Sequence, residues 1–294
     1  MSTVLVTGTS GHVGPQLAAR LQRGGWEVRA LVRSPEQADT ARSQGWVPIL
    51  GDITEPASLK AALEGADRVV HAAAKGGPDL TKAERVNVEG TRALARAALD
   101  AGVRRFVHIS TISVHGDPLP TRVDEGTGLA TNDPQPYCAT KARAELALGE
   151  LRERGLETVV LRPGMICHWV RSQWGDEMVE RIRSRGWLED LHPGDVMPWV
   201  HTENLAEMTA LALSHPDAAN EVFLAIDRNV SMGEFFGPIA AAVGQPVKVP
   251  DRLPIVADCQ VGKIAAKLGY QPVRSFEETM DHLVGLAKQP RPGR

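Results

Sequence analysis

The stretch Thr3-Val-Leu-Val-Thr7-Gly8-Thr-Ser-Gly11-His-Val-Gly14 decides the fold of this chain. Its first five residues are a short apolar, β-branched run that ends at a turn signal, as in a buried parallel strand. A helical pattern from Pro15 to Arg23 follows the three glycines. A strand, a glycine loop and a helix in this order predict a dinucleotide site, with the pyrophosphate on free N–H groups at the helix N-terminus. A glycine-rich loop in another kind of α/β protein is the alternative interpretation.

Strand and helix signals alternate through the first part of the sequence. The predicted strands lie near 3–7, 27–32, 47–50, 68–72, 105–110 and 157–162. The predicted helices lie near 14–24, 35–44, 56–64, 80–101 and 136–154. This alternation predicts a doubly wound parallel sheet with helices on both faces. The linker from Gly116 to Pro136 is longer than ordinary connections, which indicates an active-site loop.

The pattern changes after Pro163. The segment 165–201 is irregular and contains four of the six tryptophans, Trp169, Trp174, Trp187 and Trp199. This concentration favours the wall of an apolar pocket or an oligomer contact, and the core of a small second lobe is an equally good interpretation. A helix at 202–214 and a strand at 221–226 are expected to return to the sheet, and a final helix is expected near 275–287. We therefore predict a dinucleotide-binding domain at 1–163, completed by 202–226, and a smaller C-terminal substrate-binding lobe from 164–201 and 227–294.

Bulk composition restricts the partners of the protein. The chain has 294 residues, a net charge of −3 and 43% hydrophobic residues, which are ordinary values for a globular protein. A pI near 6.3 gives no electrostatic signal for nucleic acid or an anionic membrane. Three scattered cysteines and no signal-peptide pattern fit a reducing cytoplasm. Metal-ligand spacings are absent from the sequence, and no apolar run reaches the ~18 residues of a membrane helix.

A tyrosine and a lysine four residues apart carry the strongest catalytic signal. Tyr137 is one of only two tyrosines, and Lys141 follows it by one helical turn, so both side chains share a helix face. An ammonium group close to a phenol can lower the phenol's pKa from its reference value of ~10. Such a tyrosine can exchange a proton with a carbonyl or alcohol oxygen. We therefore expect acid/base chemistry on a small molecule.

The glycine spacing and the Tyr/Lys pair resemble the short-chain dehydrogenase/reductase superfamily. The closer resemblance is to its extended branch, with nucleotide-sugar epimerases and dehydratases, dihydroflavonol-type reductases and 3β-hydroxysteroid dehydrogenases. Further matches in family order are Gly51-Asp-Ile-Thr54, Val69-Val-His-Ala-Ala-Ala74, Asn87-Val-Glu-Gly-Thr91, Phe106-Val-His-Ile-Ser-Thr-Ile-Ser-Val-His-Gly116, Val123-Asp-Glu125 and Leu161-Arg-Pro-Gly164. The resemblance implies an NAD(P)-dependent enzyme with a Rossmann domain.

The resemblance also implies a role for each matching residue. Tyr137 would be the acid/base, Lys141 would lower its pKa and bind the nicotinamide ribose, and Thr111 would hold the substrate oxygen. Asn87 would support the lysine, and Ser110 and Ser113 are neighbours that could share the role of Thr111. Besides Tyr137 and Lys141, the residues implied to bind the cofactor are Gly8, Ser10, Gly11, His12, Val13, Gly14, Arg33, Asp52, Ile53, Ala72, Ala73, Ala74, Pro163, Gly164 and Ile166. The candidate substrate contacts are Ser113, His115, His168, Trp169 and Trp174. For His115, an ordinary loop residue is an equally good interpretation.

The end of the second predicted strand discriminates between the two dinucleotides. An NAD-selective site has an acidic residue there, to bind the ribose 2′-hydroxyl. This strand ends in Arg33 instead, and a guanidinium suits the 2′-phosphate of NADP(H). We therefore expect NADP(H) to be preferred over NAD(H). The alternative is an arginine that only decorates the strand end.

One segment departs from the pattern of the extended branch. Epimerases carry an Arg-Asp pair that grips the nucleotide-sugar diphosphate, and this chain has Met197 and Pro198 there, with Glu203-Asn204 further on. A fairly apolar ketone, aldehyde or secondary alcohol is therefore the expected substrate, unless Arg171, Arg181, Arg183 or Arg185 compensates. A nucleotide-sugar epimerase or dehydratase with tightly bound cofactor, and a non-catalytic NAD(P)-binding sensor, are the alternatives. The family resemblance also suggests a homodimer formed through the helices near 80–101 and 136–154.

Overall fold

The computed structural model describes residues 2–187 and 189–289. Within them, the strands are β1 (Thr3–Thr7), β2 (Glu27–Val32), β3 (Val47–Leu50), β4 (Arg68–His71), β5 (Arg105–Ile109), β6 (Arg122–Val123), β7 (Thr158–Pro163), β8 (Met165–Cys167), β9 (Val196–His201), β10 (Val222–Ala225), β11 (Arg228–Ser231) and β12 (Asp258–Cys259). The α-helices are α1 (Gly14–Arg23), α2 (Pro35–Ser43), α3 (Pro56–Leu63), α4 (Leu80–Ala83), α5 (Thr91–Asp100), α6 (Pro136–Glu153), α7 (Asp176–Arg185), α8 (Thr202–Ser214), α9 (Met232–Ala242), α10 (Lys263–Leu268) and α11 (Phe276–Lys288).

The central sheet confirms the predicted doubly wound α/β fold. Seven parallel strands lie in the order β3-β2-β1-β4-β5-β7-β10. The chain first builds outward from β1 to β3 and then crosses back to β4, so the strand order reverses between β1 and β4. A crevice for a ligand is expected at this switch point, beyond the carboxyl ends of the strands.

The alternation of side chains along β1 builds a core on each face of the sheet. Val4 and Val6 pack into one core, and Leu5 packs into the other. All three are fully buried, as expected for a strand in the centre of a parallel sheet. The sheet is thus covered on both sides, which leaves its strand ends as the place for a site.

A second lobe has its own apolar core. It contains Trp187, Trp199, Phe235, Phe236 and the apolar face of α11. A three-stranded sheet, β11-β9-β8, runs through this lobe, and β8 follows β7 after a single residue. Because β8 continues the chain from the sheet's carboxyl edge, the second lobe begins next to the crevice. In the described ranges, no helix is long and apolar enough to cross a membrane.

The structure differs from two sequence predictions about secondary structure. The stretch 80–101 is helical as predicted, but it is not one regular α-helix, because the π-helix Glu84–Gly90 separates α4 from α5. The segment 165–201 is not irregular, since it contains β8, α7 and β9. The π-helix carries Asn87, and π-helical turns are frequent at functional sites. The second segment was missed because its short strands pair with partners distant in sequence.

Candidate active site

The glycine loop after β1 is shaped by close backbone contacts. Gly8 has a φ of +78°, and a Cβ built on it would lie 2.7 Å from the carbonyl carbon of Ala72 at the end of β4. A Cβ on Gly14 would lie 2.2 Å from the carbonyl oxygen of Gly8. Any other residue at either position would displace the loop, since real Cβ contacts of this length do not occur. No side chain caps the first turn of α1, so this helix end is open to an anion.

A cavity of about 310 Å³ lies between the ends of β1, β2 and β4. Nine residues that the sequence implied for cofactor binding line it, namely Gly8, Ser10, Gly11, Arg33, Asp52, Ile53, Ala72, Ala73 and Ala74. Thr7, Leu31, Gln37, Gly51 and Val86 complete the lining, and the sequence analysis missed them. The glycine cradle, the open helix end and this cavity fit the adenosine half and the pyrophosphate of a dinucleotide.

The remaining residues implied for the cofactor lie outside the lining of this cavity. His12 and Val13 follow in the loop before α1, whereas Pro163, Gly164 and Ile166 lie where β7 passes into β8. A Cβ on Gly164 would lie 2.4 Å from the carbonyl oxygen of Pro198 in β9. The glycine is therefore required by the packing of β8 against β9, whether or not it also contacts a cofactor.

Arg33 lies at the carboxyl end of β2 and is exposed to solvent. Its backbone N–H donates to Oε1 of Gln37 at 2.9 Å, which ties the strand end to the first turn of α2. Ser34 caps the same helix by accepting from the Gln37 N–H. Among the described residues the guanidinium has no carboxylate partner, so it is available to an anionic group in the cavity.

Tyr137, Thr111 and Lys141 come together where β5 ends. Thr111 lies directly beyond the strand and caps the 3₁₀ turn Ile112–His115, and Tyr137 and Lys141 lie in the first two turns of α6. The Thr111 side chain lies close enough to Tyr137 to act on its hydroxyl. Burial raises the pKa of Tyr137 above its ordinary value, and the Thr111 side chain offsets part of the rise. The expected lowering of the Tyr137 pKa by Lys141 stays a prediction, because burial is the largest effect on this phenol in the structure.

Lys141 is 1% exposed and its ammonium is held by β5. Nζ donates to the carbonyl oxygen of Ile109 at 2.8 Å and lies 3.1 Å from Nε2 of His108. Burial lowers the pKa of Lys141 to about 8, and Glu145 acts weakly in the opposite direction. His108 is therefore a contact of Lys141 that the sequence analysis missed.

Asn87 is buried between α6 and the loop after β4. Its Nδ2 donates to the carbonyl oxygen of Lys75 at 3.0 Å and to Oγ1 of Thr140 at 2.9 Å. Its Oδ1 accepts from the Lys75 N–H at 2.7 Å. Asn87 thus reaches α6 through Thr140, the residue before Lys141, and not through the lysine that it was expected to support.

A buried ion pair lies behind the catalytic residues. Arg162 of β7 donates to both carboxylate oxygens of Glu145, and both side chains are almost fully buried. Ser110 donates to the same carboxylate at 2.5 Å, so its hydroxyl is not free to share the role of Thr111. Nε2 of His115 accepts from Arg162 at 3.2 Å, and its Nδ1 lies 3.0 Å from the carbonyl oxygen of Gly128. Both ring nitrogens of His115 are thus engaged inside the protein, which favours an ordinary loop residue over a substrate contact.

The other candidate substrate residues divide between the site and the second lobe. Ser113 lies beside Thr111 and its backbone N–H donates to Oγ1 of that threonine at 3.2 Å. Trp174 lies near Phe236 in the second core, and Trp187 and Trp199 are buried in the same core. For these three tryptophans, the interpretation as core residues of a small second lobe is therefore correct.

Trp169 and His168 belong to a separate cluster of rings. The Trp169 ring lies 5.2 Å from that of His201 and stacks on His282 at 4.8 Å. The guanidinium of Arg274 lies 4.8 Å from the centre of the Trp169 ring. His168 is held by Ser172, whose Oγ accepts from its N–H at 3.1 Å. These contacts hold the loop after β8 against the end of β9 and against α11. Within the described ranges, no group of three His, Cys, Asp or Glu side chains could hold a metal ion.

The fold and this site define an NAD(P)-dependent enzyme of the extended short-chain dehydrogenase/reductase type. Residues 4–225 match the model of the NAD dependent epimerase/dehydratase family, and the chain belongs to this family. The chain is 33% identical to 4-hydroxy-2-methyl-3-oxo-4-farnesyl-3,4-dihydroquinoline-1-oxide ketoreductase of Stigmatella aurantiaca, over 90% of this chain and 78% of that protein. It is also 29% identical to UDP-glucose 4-epimerase of Vibrio cholerae, over 94% and 92% of the two chains.

A solved structure supports the same class. A short-chain dehydrogenase/reductase superfamily protein from Agrobacterium tumefaciens, crystallised with bound NAD, superimposes with a TM-score of 0.79 at 25% identity, over 97% of this chain and 96% of that one. The predicted family, fold and enzyme class are thereby confirmed, together with NAD(P) as the cofactor.

Proposed function

We propose that this enzyme is an NADP-dependent reductase of a fairly apolar ketone or aldehyde. The observation that carries the proposal is the placement of two hydroxyl side chains at the carboxyl end of β5, Thr111 before the 3₁₀ turn and Tyr137 at the start of α6, one turn from the buried Lys141. Because the pKa of Tyr137 is raised, the phenol is protonated at neutral pH and is ready to donate. A proton donor at this place suits reduction, in which the substrate oxygen gains a proton.

When bound, the nicotinamide supplies the hydride, and the protein supplies position and the proton. Thr111 and Tyr137 would donate hydrogen bonds to the substrate oxygen and stabilise the charge that develops on it. Lys141 would bind the ribose and keep positive charge near this oxygen. Arg162 and Glu145 hold β7 against α6 behind these groups, so the pair of hydroxyls is set on rigid elements.

Arg33 supports NADP(H) as the preferred cofactor. It lines the adenosine cavity at the position where an acidic residue would select NAD(H), and its guanidinium has no carboxylate partner among the described residues. A 2′-phosphate would supply that partner.

The segment 197–204, which departs from the pattern of the extended branch, makes contacts that support an apolar substrate. Met197 packs against the second core, and Asn204 is fully used by Asp227 and the backbone of Val273 and Arg274. Among the arginines that could compensate, Arg183 donates to the carbonyl oxygens of Leu286 and Ala287 at the end of α11, which removes it from the crevice. Arg171, Arg181 and Arg185 are exposed. The Stigmatella relative is named for a farnesylated ketone, which is consistent with this substrate class.

A nucleotide-sugar epimerase is the second candidate, because the similarity to the Vibrio epimerase covers nearly the whole of both chains. Incubation with NADPH and a panel of long-chain 3-oxo esters, aryl ketones and aldehydes separates the two. The reductase consumes NADPH with at least one member, whereas the epimerase converts UDP-glucose without net consumption. A sensor does neither.

A matched pair of tyrosine variants tests the acid. Tyr137→Phe should lower kcat by about 10²–10⁴-fold and leave NADPH affinity nearly unchanged. Tyr270→Phe removes the same atom from the other tyrosine, whose hydroxyl donates to Asp227 at 2.6 Å, and should retain activity while folded. Normal turnover by Tyr137→Phe would overturn the assignment.

We also propose a cytoplasmic homodimer, as the family resemblance suggests. The pairing surface would be formed by α5 and α6, where Leu146 is 53% exposed. Light scattering of the purified protein tests the pairing, and a monomeric mass would exclude it.

A further inference from the structure

Two histidines lie side by side in the centre of the sheet, next to the catalytic lysine. His71 of β4 and His108 of β5 are cross-strand partners, and their rings lie 5.2 Å apart. Both are fully buried in strands whose other residues are mostly apolar. Burying a polar ring is unfavourable unless it has hydrogen-bond partners, so each ring needs a reason to be there.

His71 has partners on both nitrogens. Its Nδ1 lies 2.7 Å from Oγ1 of Thr7, and its Nε2 lies 2.9 Å from Oγ1 of Thr91. His108 differs, because its Nε2 faces the ammonium of Lys141 at 3.1 Å and its Nδ1 has no partner among the described residues. The position of His108 is therefore explained by the lysine alone.

The chemistry of the two groups sets the direction of this hydrogen bond. An ammonium has three hydrogens and no acceptor, so Nε2 of His108 must accept and the ring proton lies on Nδ1. A second ammonium hydrogen goes to the carbonyl oxygen of Ile109. One hydrogen is left, which is the number needed to reach a ligand in the crevice.

We propose that His108 is a positioning residue for Lys141, which it holds as an ammonium on the floor of the crevice with one hydrogen free for the cofactor ribose. The catalytic consequence rests on the proposed function, whereas the hydrogen bond and its effect on the lysine do not. His71 supports the arrangement by packing beside the His108 ring.

The charged and titratable groups around Lys141 come from several elements. Glu145 on α6, His108 on β5 and His71 on β4 interact with its charge, and Tyr137 lies one turn earlier on α6. Arg162 on β7 bonds Glu145, and His115 in the 3₁₀ turn bonds Arg162. Glu145 is committed to Arg162 and Ser110, and burial together with Lys141 lowers the pKa of His71 to about 3, so His71 is neutral at pH 7. Among these groups, His108 is the one that accepts from the ammonium directly.

Replacing His108 with an apolar residue should make the charged lysine harder to maintain. A hydrogen bond to a charged group has a strength that corresponds to about one to two pKa units. In His108→Leu we therefore expect the pKa of Lys141 to fall by about one to two units from its value of about 8. His108→Gln keeps an acceptor oxygen and should restore most of the original value.

The test is an NMR titration of the cofactor-free protein labelled with ¹³C at the lysine Cε. The chain has eight lysines, and Lys141→Met identifies the signal of Lys141. His201→Leu is the control, since it removes another buried histidine that lies in the second lobe. The expected result is a lower pKa in His108→Leu, or in His108→Met if the first variant does not fold, with wild-type values in His108→Gln and His201→Leu.

A Lys141 pKa that is unchanged in both apolar variants would overturn the inference, whatever the activity. If the pKa falls as expected, the alkaline limb of kcat/KM with NADPH should move to lower pH by the same amount and return in His108→Gln. A shifted NMR titration in a protein that reduces no carbonyl compound would support the role of His108 and count against the proposed function.

Discussion

Replacing Arg33 with Asp should move the enzyme's preference from NADPH towards NADH. The guanidinium lies at the carboxyl end of β2, on the wall of the adenosine cavity, and the described residues offer it no carboxylate. The substitution removes the group that would bind a 2′-phosphate. It also introduces an acceptor for the 2′-hydroxyl of NADH.

The expected size follows from the exposure of the side chain. Hydrogen bonds to charged groups contribute about 1.5–3 kcal/mol, and solvent screening at an exposed residue favours the lower value, which is about tenfold in affinity. Repulsion between the new carboxylate and a phosphate at about 5 Å in water adds roughly 1 kcal/mol. A new hydrogen bond from the 2′-hydroxyl of NADH to Asp at this position should strengthen NADH binding by about 1 kcal/mol. The ratio of kcat/KM for NADPH over NADH should therefore fall by about 10²–10³-fold.

Initial rates with each cofactor, at a saturating concentration of one ketone, measure this ratio. Arg42→Asp on α2 is the control, because it makes the same charge change at an exposed residue outside the cavity lining. The control should leave the ratio within about threefold, since distant surface charges are screened. Equal changes with the two cofactors in Arg33→Asp, or the same change in the control, would show that Arg33 does not bind the phosphate.

Three further substitutions or conditions have defined outcomes. Gly14→Ala would place a methyl group 2.2 Å from the Gly8 carbonyl oxygen, so NADPH affinity measured by fluorescence titration should weaken at least about tenfold, and affinity within twofold of wild type would contradict the close contact. Glu145→Gln leaves the buried Arg162 charge without its carboxylate and should cost about 3–5 kcal/mol in urea unfolding, whereas Glu153→Gln, the same substitution at the exposed end of α6, should cost less than about 1 kcal/mol. Acid should destabilise the protein, because burial depresses the pKa of three histidines, to about 3 in two of them, so below about pH 6 the unfolded chain binds protons that the folded chain does not. Each of these histidines should lower the free energy of unfolding by about 1.4 kcal/mol for each pH unit below this value. A free energy of unfolding that stays level from pH 6 to 4 would contradict the burial of His71, His108 and His201.

The sheet and the cofactor end of the site were predictable because their signals are local. The glycines of the loop and the apolar run of β1 each act within a few residues, and nine of the residues that the family resemblance implied line the cavity. The π-helix around Asn87 was not predictable in this way, since it keeps the general periodicity of a helix while its hydrogen bonds shift by one residue.

The sequence predictions that did not hold concern residues whose surroundings depend on contacts between segments distant in sequence. His115 was a candidate substrate contact. In the structure its ring is buried, and its Nε2 accepts from Arg162, which lies 47 residues away in sequence. Trp174 was a candidate for the pocket, and its packing near Phe236 is visible only in the folded second lobe. One signal for His108 was available in the sequence. His71 and His108 are polar residues within two apolar runs, and parallel strands bring them together once the register is known.

The most direct test of the proposed reductase is the transfer of deuterium from NADPH labelled at both hydrogens of the nicotinamide C4. The wild-type enzyme is incubated with labelled NADPH and an apolar ketone, and the product alcohol is analysed by mass spectrometry. The reductase should place deuterium on the carbinol carbon, at a rate about 10²–10⁴-fold lower in Tyr137→Phe with NADPH binding retained. Reduction without deuterium in the product, or transfer at the wild-type rate in Tyr137→Phe, would contradict the proposal.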